Sequence, residues 1–413
     1  MELSMPIKKT LLSLSISGLL ATSSVYATED NSTPDNSVKD KGTNFGSPDA
    51  VDNQIAEDNK RSKPDFKTQL EQNNISMGAD YSSVFLAASN VLAGSDDNAR
   101  SGMIRFYGSW NPIGVGTKEV GGLVWKVEHR HSYTDTSVKD FEFGTGGLGL
   151  VTPPFSDQGF RFTNLYYKQK YMNGKASFVA GFLDITDFVD VFAMASPWTG
   201  FMNFAFSTGT TTMALPGDAA LGAAGGIMLS DEYYMVASFV DMNSDPTNIL
   251  DGFDSFFSDN KYFKSIELGW TKSQGHIYVD NIHATLWHAD ESVEQGSTKG
   301  HGINFSASRM IDGKWLPFFR AGYSQDAGTL MEKSISAGFG YYGLGGEGNN
   351  LGAAINWGQV KGNDDQFTTE VFYIIKPLDY LEVTADLQYI ANPALNTQDS
   401  STLIYGLRLR LAI

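Results

Sequence analysis

From Ile75 onward, apolar and polar residues alternate in short runs broken by Gly, Asn, Asp and Pro. In "LEVTADLQY", Leu381, Val383, Ala385, Leu387 and Tyr389 are apolar, and Glu382, Thr384, Asp386 and Gln388 lie between them. Period two is the signature of a β-strand with one apolar and one polar face. The pattern predicts sixteen strands, at 75–89, 101–112, 119–133, 159–172, 174–185, 217–229, 232–243, 260–273, 275–289, 300–311, 313–324, 332–344, 349–361, 366–376, 379–391 and 401–413. Many exceed the roughly five or six residues of a mean globular strand and suit a membrane-spanning strand of about 9–11. The run at 275–289 alternates poorly.

The connections alternate in length. After even-numbered strands they are short, and two carry Asn173-Gly174 and Asp312-Gly313, strong hairpin signals. After odd-numbered strands they are generally longer, as at 134–158, 186–216, 244–259, 290–299 and 392–400. Short turns on one rim and long loops on the other predict an all-β, antiparallel, up-and-down transmembrane barrel, with periplasmic turns and extracellular loops.

The faces fix its orientation. In the last strand Leu403, Tyr405, Leu407, Leu409, Leu411 and Ile413 share one side, and Thr402, Gly406, Arg408 and Arg410 the other, with Ile404 as an exception. Side chains cannot fill a sixteen-stranded barrel, so the apolar face is expected to meet lipid and the polar face a water-filled lumen. Trp110, Tyr133, Tyr323, Tyr341 and Tyr380 fall near strand ends, where interfacial aromatic girdles lie. A soluble β-solenoid or β-sandwich array is the alternative architecture, and the lack of a repeat of fixed period weighs against the solenoid.

The N-terminus changes the picture. Lys8 and Lys9, an apolar core from Leu11 to about Ala21, and Val25-Tyr26-Ala27 predict a signal peptide over 1–27, cleaved after Ala27. Residues 28–74 are polar, with no apolar periodicity before Phe66, and are expected to be a flexible periplasmic segment. "FKTQLEQ" near its end can form a helical turn. Residues 75–413 are then the barrel domain. No other apolar run reaches the roughly 18 residues of a transmembrane helix. The net charge of -17 argues against nucleic acid as a partner. Cysteine is absent, which excludes disulfides and thiolate metal sites.

If apolar residues face lipid, Arg105, Lys126, Glu128, Arg130, Arg161 and Arg320 point inward and are candidates to line the pore and bind substrate. Wall ion pairs are the competing reading for them. For Glu370, Glu382, Asp386, Arg408 and Arg410 wall ion pairs are favoured, because opposite charges fall on neighbouring strands. An anion channel needs an unbalanced basic ring and a cation channel an acidic one. The mixed inward set points to a neutral polar solute. The aromatic stretch 184–206 is unlike a plain loop, and is expected to enter the lumen or cap the pore, with a short helix at 187–195 ended by Pro197. Asp184, Asp187 and Asp190 are spaced three apart, but without EF-hand spacing loop hydrogen bonds account for them better than a metal does. His129 and His131 fall on the apolar face and read as interfacial rather than metal-binding. No cofactor is called for, and no nucleophile elbow or HExxH marks an enzyme.

From about Gly181 onward the chain resembles the OprB-like carbohydrate-selective porin family. "GFLDITDFVDVFAMASPWTGFMNFAFS" is similar to the family's Asp- and Phe-rich segment ending in F-x-N, here Phe201 and Asn203. "TEVFYIIKPLDYLEVTADLQYIANPALN" followed by "YGLRLRL" matches its ending, through Glu370, Tyr373, Asp386, Gln388, Ile390, Asn392, Pro393, Gly406, Leu407 and Arg408. Where such barrels usually end in Phe, this sequence has Ile413. The resemblance implies a sixteen-stranded barrel in the bacterial outer membrane that passes mono- or oligosaccharides by facilitated diffusion. It also implies a constriction that includes arginines. The expected partners are carbohydrate solutes and outer-membrane lipid, with a homotrimer possible. A general diffusion porin is the nearest alternative reading, and an outer-membrane barrel enzyme the more distant one.

Overall fold

The computed structural model describes residues 45–58, 64–149 and 154–413. The expected signal peptide lies outside them. Sixteen strands form: β1 (Ile75–Ala88), β2 (Asn98–Ile113), β3 (Gly121–Ser132), β4 (Gly159–Tyr171), β5 (Ala176–Leu183) and β6 (Ala220–Met228). They continue with β7 (Tyr233–Asp241), β8 (Tyr262–Thr271), β9 (Asn281–Ala289), β10 (Gly300–Ser308) and β11 (Trp315–Gln325). The last are β12 (Lys333–Tyr342), β13 (Asn350–Gln359), β14 (Gln366–Leu378), β15 (Leu381–Ala391) and β16 (Ser401–Ala412). Each pairs antiparallel with its neighbour in sequence, and β1 closes on β16 with Asp80 opposite Ala412 and Ala88 opposite Ile404. Closure leaves no unpaired sheet edge, which a bilayer would not tolerate.

The hairpins follow their sequences. Asn173 and Gly174 both have positive φ (58° and 84°), as do Asp312 and Gly313 (52° and 64°), the conformation that suits a right-twisted strand pair. The poor alternation near 275 has a simple cause. Residues 274–276 form a 3-10 turn and the strand begins at Asn281, after which burial alternates.

The faces run as the pattern predicts. Tyr405, Leu407, Leu409 and Leu411 are exposed on the outside, while Thr402, Arg408 and Arg410 are buried on the inside. His129 and His131 lie outside, their rings 5.6 Å apart, and Tyr81 Oη lies 3.1 Å from His131 Nε2.

The lumen is fuller than a water-filled barrel. The β5–β6 connection, 184–219, folds inward, so a long aromatic loop enters the pore. The helix expected at 187–195 does not form; a 3-10 turn at Ile185–Asp187 precedes irregular chain. The loop is anchored by its own apolar side chains. Phe192, Met194, Phe201 and Phe206 pack on inward-facing Leu316, Phe318, Phe372 and Ile374. Ile404, the exception to alternation in the last strand, packs with Val84, Leu86 and Ile390 against Trp198 and Met202. Apolar residues on the lumen face thus mark where the loop docks.

Residues 45–58 are a second departure, because they are not a free segment. Helix α1 (Val51–Asp58) lies inside the barrel, in its short-turn half. Val51 and Ile55, one turn apart, are buried among Tyr107, Val124, Tyr166 and Val179. Phe45 packs on Tyr234, Val236 and Met228. Three apolar side chains are too few to give visible periodicity, yet they suffice to dock a short helix into a cavity already built. Helix α2 (Asp65–Gln72), which follows, covers the predicted "FKTQLEQ" turn.

Candidate functional site

A cavity of about 670 Å³ lies between the inward loop and the β3–β4 wall. A bulge in β4 shapes this wall. Lys126 pairs with Asn164 and Val127 with Phe162, so Thr163 is the extra residue, and both Thr163 and Asn164 are buried. Asn164 then serves the loop: its Nδ2 donates to Asp187 at 3.2 Å and its Oδ1 accepts from Asp184 N at 2.9 Å.

Four of the six predicted pore residues meet at this cavity: Lys126, Glu128, Arg130 and Arg161. Lys126 Nζ lies 3.3 Å from Asp187 Oδ2 and donates to the Asp49 carbonyl at 3.3 Å. Arg130 Nε donates to Glu128 at 2.8 Å, and Arg130 Nη2 to Asp218 at 3.1 Å. Arg161 Nη2 reaches the same Asp218 oxygen at 2.5 Å. Trp198, Phe201, Met213 and Leu215 from the loop supply an apolar surface across from these charges. Donors, acceptors and an aromatic face together suit a hydroxylated solute with an apolar ring face.

The other two predicted residues do not line this cavity. Arg105 donates to Asp80 at 2.8 and 2.5 Å and lies 4.2 Å from the Trp198 ring. Asp80 also accepts from Arg410 at 3.0 and 2.9 Å, and Arg410 donates to Glu382 at 3.3 Å. This network ties β2, β1, β16 and β15 together. Arg320 is bound to Asp190 of the loop, donating to its carboxylate and, at 3.0 Å, to its carbonyl, under the Phe192 ring at 4.2 Å.

Of the predicted wall pairs, only Glu382 and Arg410 form one among the described residues. Glu370, Asp386 and Arg408 do other work. Glu370 accepts from Met202 N and Asn203 N at 2.6 and 2.9 Å, and Gln388 accepts from Asn203 Nδ2 at 3.0 Å. Arg408 donates to the carbonyls of Pro197 and Gly200 and to Thr384 Oγ1. Asp386 accepts from Gln388 at 3.0 Å. In register Arg408 faces Thr384 and Asp386 faces Gly406, so opposite charges on neighbouring strands need not be opposite each other.

Three acids of the loop, spaced three apart, take separate partners. Asp184 caps the 3-10 turn through Thr186 N at 3.1 Å, Asp187 holds Lys126 and Ser47, and Asp190 holds Arg320, His283 and Gly209 N. Asp80, Asp190 and Asp218 are central here and were not singled out as site residues. Only the spacing of Asp184, Asp187 and Asp190 hinted at one of them.

Asp184 gives the cavity a pH dependence. Burial and the carboxylates of Asp187 and Asp218 push its pKa up to about 8, against the pull of Lys126. A raised carboxyl is mostly neutral below that value and gains its negative charge as pH rises through it. Cation preference is therefore expected to strengthen between about pH 7 and about pH 9. Reversal potentials across a salt gradient measure it. Asp184→Asn, which still caps the turn, should flatten the profile; a step that survives in this variant would rule Asp184 out.

A family model described as carbohydrate-selective porin, OprB family, matches residues 126–412. The high-pH structure of Pseudomonas putida OprB is similar with a TM-score of 0.67 at 14% identity, over 84% of this chain and 96% of that one. A mutant of the Rh. blastica porin gives a TM-score of 0.53 at 10% identity, over 82% and 100%. At these identities the likeness to solved structures concerns the fold. No curated protein matches the chain.

Proposed function

The chain belongs to the OprB family of carbohydrate-selective porins, and from that premise we propose that sugars cross it through the cavity between the inward loop and β3–β4. It is an outer-membrane channel for carbohydrates. The observation that carries the proposed route is the cavity's two-sided lining, with Lys126, Glu128, Arg130, Arg161 and Asp218 on one side and Trp198, Phe201 and Leu215 on the other. Charged side chains held in ion pairs are fixed donors and acceptors for hydroxyl groups, and an apolar face can stack on a sugar ring. Arg105 and Arg320 act in this reading as supports that hold Trp198 and Asp190 in place.

Cleavage after Ala27 is part of the proposal, as the route by which the chain reaches the outer membrane. Assembly as a homotrimer is also part of it, tested by the sedimented mass of the detergent-solubilised channel.

Liposome swelling tests the route. Glucose is expected to enter faster than non-sugar solutes of the same size, and Trp198→Ala should remove much of that advantage while leaving salt conductance intact. Equal rates for sugars and size-matched non-sugars would instead mark a general diffusion porin.

A further inference from the structure

The arrangement of Arg130 and Arg161 raises a question that the sugar route does not answer. Two arginines on adjacent strands form a ready carboxylate-binding pair, because each guanidinium offers a planar fork of donors. In this cavity the pair is already covered. Asp218, two residues before β6, reaches back to both, at 3.1 Å from Arg130 and 2.5 Å from Arg161. Its side chain is 23% exposed, against 8% for Arg130 and 5% for Arg161. The carboxylate, not the guanidinium groups, is therefore what a solute meets first. Glu128 takes Arg130 from the other side at 2.6 Å. Two cations thus face two carboxylates, and no net positive charge remains at the pair.

The rest of the lining holds more acids than bases. Lys126 is paired with Asp187. Lys139 is the remaining cation along the described lining, beside Asp245 and Glu294, while Asp184 adds its charge only as pH rises through about 8. Asp218 itself is ionised: burial opposes its charge, but Arg161 and Arg130 beside it outweigh burial and hold its carboxyl below the usual carboxylate range.

Resting on the cavity as the sugar route, we propose that Asp218 sets its charge selectivity. With Asp218 in place the channel passes neutral sugars and turns away sugar acids. Without it, Arg130 and Arg161 become a binding site for carboxylate-bearing sugars. Asp218 is then a specificity-determining residue rather than a fastener of the loop.

The test compares glucose with glucuronate in liposome swelling, together with reversal potentials in a potassium chloride gradient. The wild-type channel should pass glucose roughly tenfold faster than glucuronate and lean toward cations. Asp218→Asn should shift the reversal potential toward anions, and glucuronate should then enter at a rate near that of glucose or block the current. Asp218→Glu should behave as wild type, and adding Arg161→Gln to Asp218→Asn should restore rejection. A wild-type glucuronate rate equal to that of glucose overturns the proposal with no variant needed. An unmoved reversal potential in Asp218→Asn also overturns it. Loss of the sugar advantage over size-matched non-sugars is a separate readout, which counts against the cavity as a sugar route and leaves the charge filter standing.

Discussion

Asp190→Ala is expected to loosen the inward loop by about 3–5 kcal/mol and to raise single-channel conductance several-fold. Asp190 ties the loop to three strands, β8, β9 and β11. Its carboxylate takes Arg320 of β11, His283 Nε2 of β9 at 3.0 Å and, across the loop, Gly209 N at 2.7 Å. Its own N–H donates to Glu267 of β8 at 3.0 Å. Asp190 also has a φ of 48°, a conformation that aspartate tolerates better than alanine. Alanine would leave Arg320 fully buried without its anion, and removing one partner of a buried pair costs far more than the pair contributes. The aromatic anchors at Phe201 remain, so the loop should swing out from its Asp190 end while the barrel stays closed. Planar-bilayer recording measures this directly. Wild-type conductance with steady current in Asp190→Ala would show that apolar packing alone holds the loop.

The second large effect is expected at α1, whose Val51 and Ile55 share a buried cluster with Phe188 and Val189 of the loop. The pair Val51→Asp with Ile55→Asp should expel α1 and raise conductance, with no loss of barrel folding. Both side chains are buried, so each new carboxylate would have to lose its water at a cost of several kcal/mol. Burying Val51 and Ile55 contributes only about 1.5–3 kcal/mol each, and eight residues cannot hold a helix alone in water. The remaining ties are Phe45 packed on Tyr234, Val236 and Met228, Lys168 to Asp52, Lys126 to the Asp49 carbonyl, Ser47 N to the Asp187 carbonyl at 2.7 Å, and Ser196 Oγ to Asp49 at 2.8 Å. They cannot offset two buried charges. Recordings of the double variant beside Asp52→Asn separate the contributions, since Asp52→Asn should have the smaller effect. No gain in the double variant would mean that α1 stands clear of the conducting path.

These two expectations concern parts of the chain that the sequence presented very differently. The barrel was legible because period two is a local property. Each strand's alternation can be read within ten residues, and the hairpins at Asn173-Gly174 and Asp312-Gly313 are two-residue signals. The orientation of the faces followed from strand number, since so wide a ring has more interior than side chains can fill. The two stretches resembling the porin family were legible as well. Only the structure shows that they touch, with Asn203 of the first on Gln388 of the second and Met202 N on Glu370.

By itself, then, the sequence determined the strands, their inward and outward faces, and which charges point into the lumen. The tertiary structure decided which of those charges meet. Alternation places Arg105, Arg130, Arg161, Arg320 and Arg408 on one face but says nothing of depth or partner. Depth came from register around the closed ring, and partners came from chain folded into the lumen: Asp190 for Arg320, Asp218 for Arg130 and Arg161, the Pro197 carbonyl for Arg408. Even Phe45 and α1, with few apolar residues in a polar stretch, have their place only in apolar pockets built by the barrel wall. A strand's pattern is written within the strand, whereas an ion pair between wall and loop depends on residues far apart in sequence being brought together by closure.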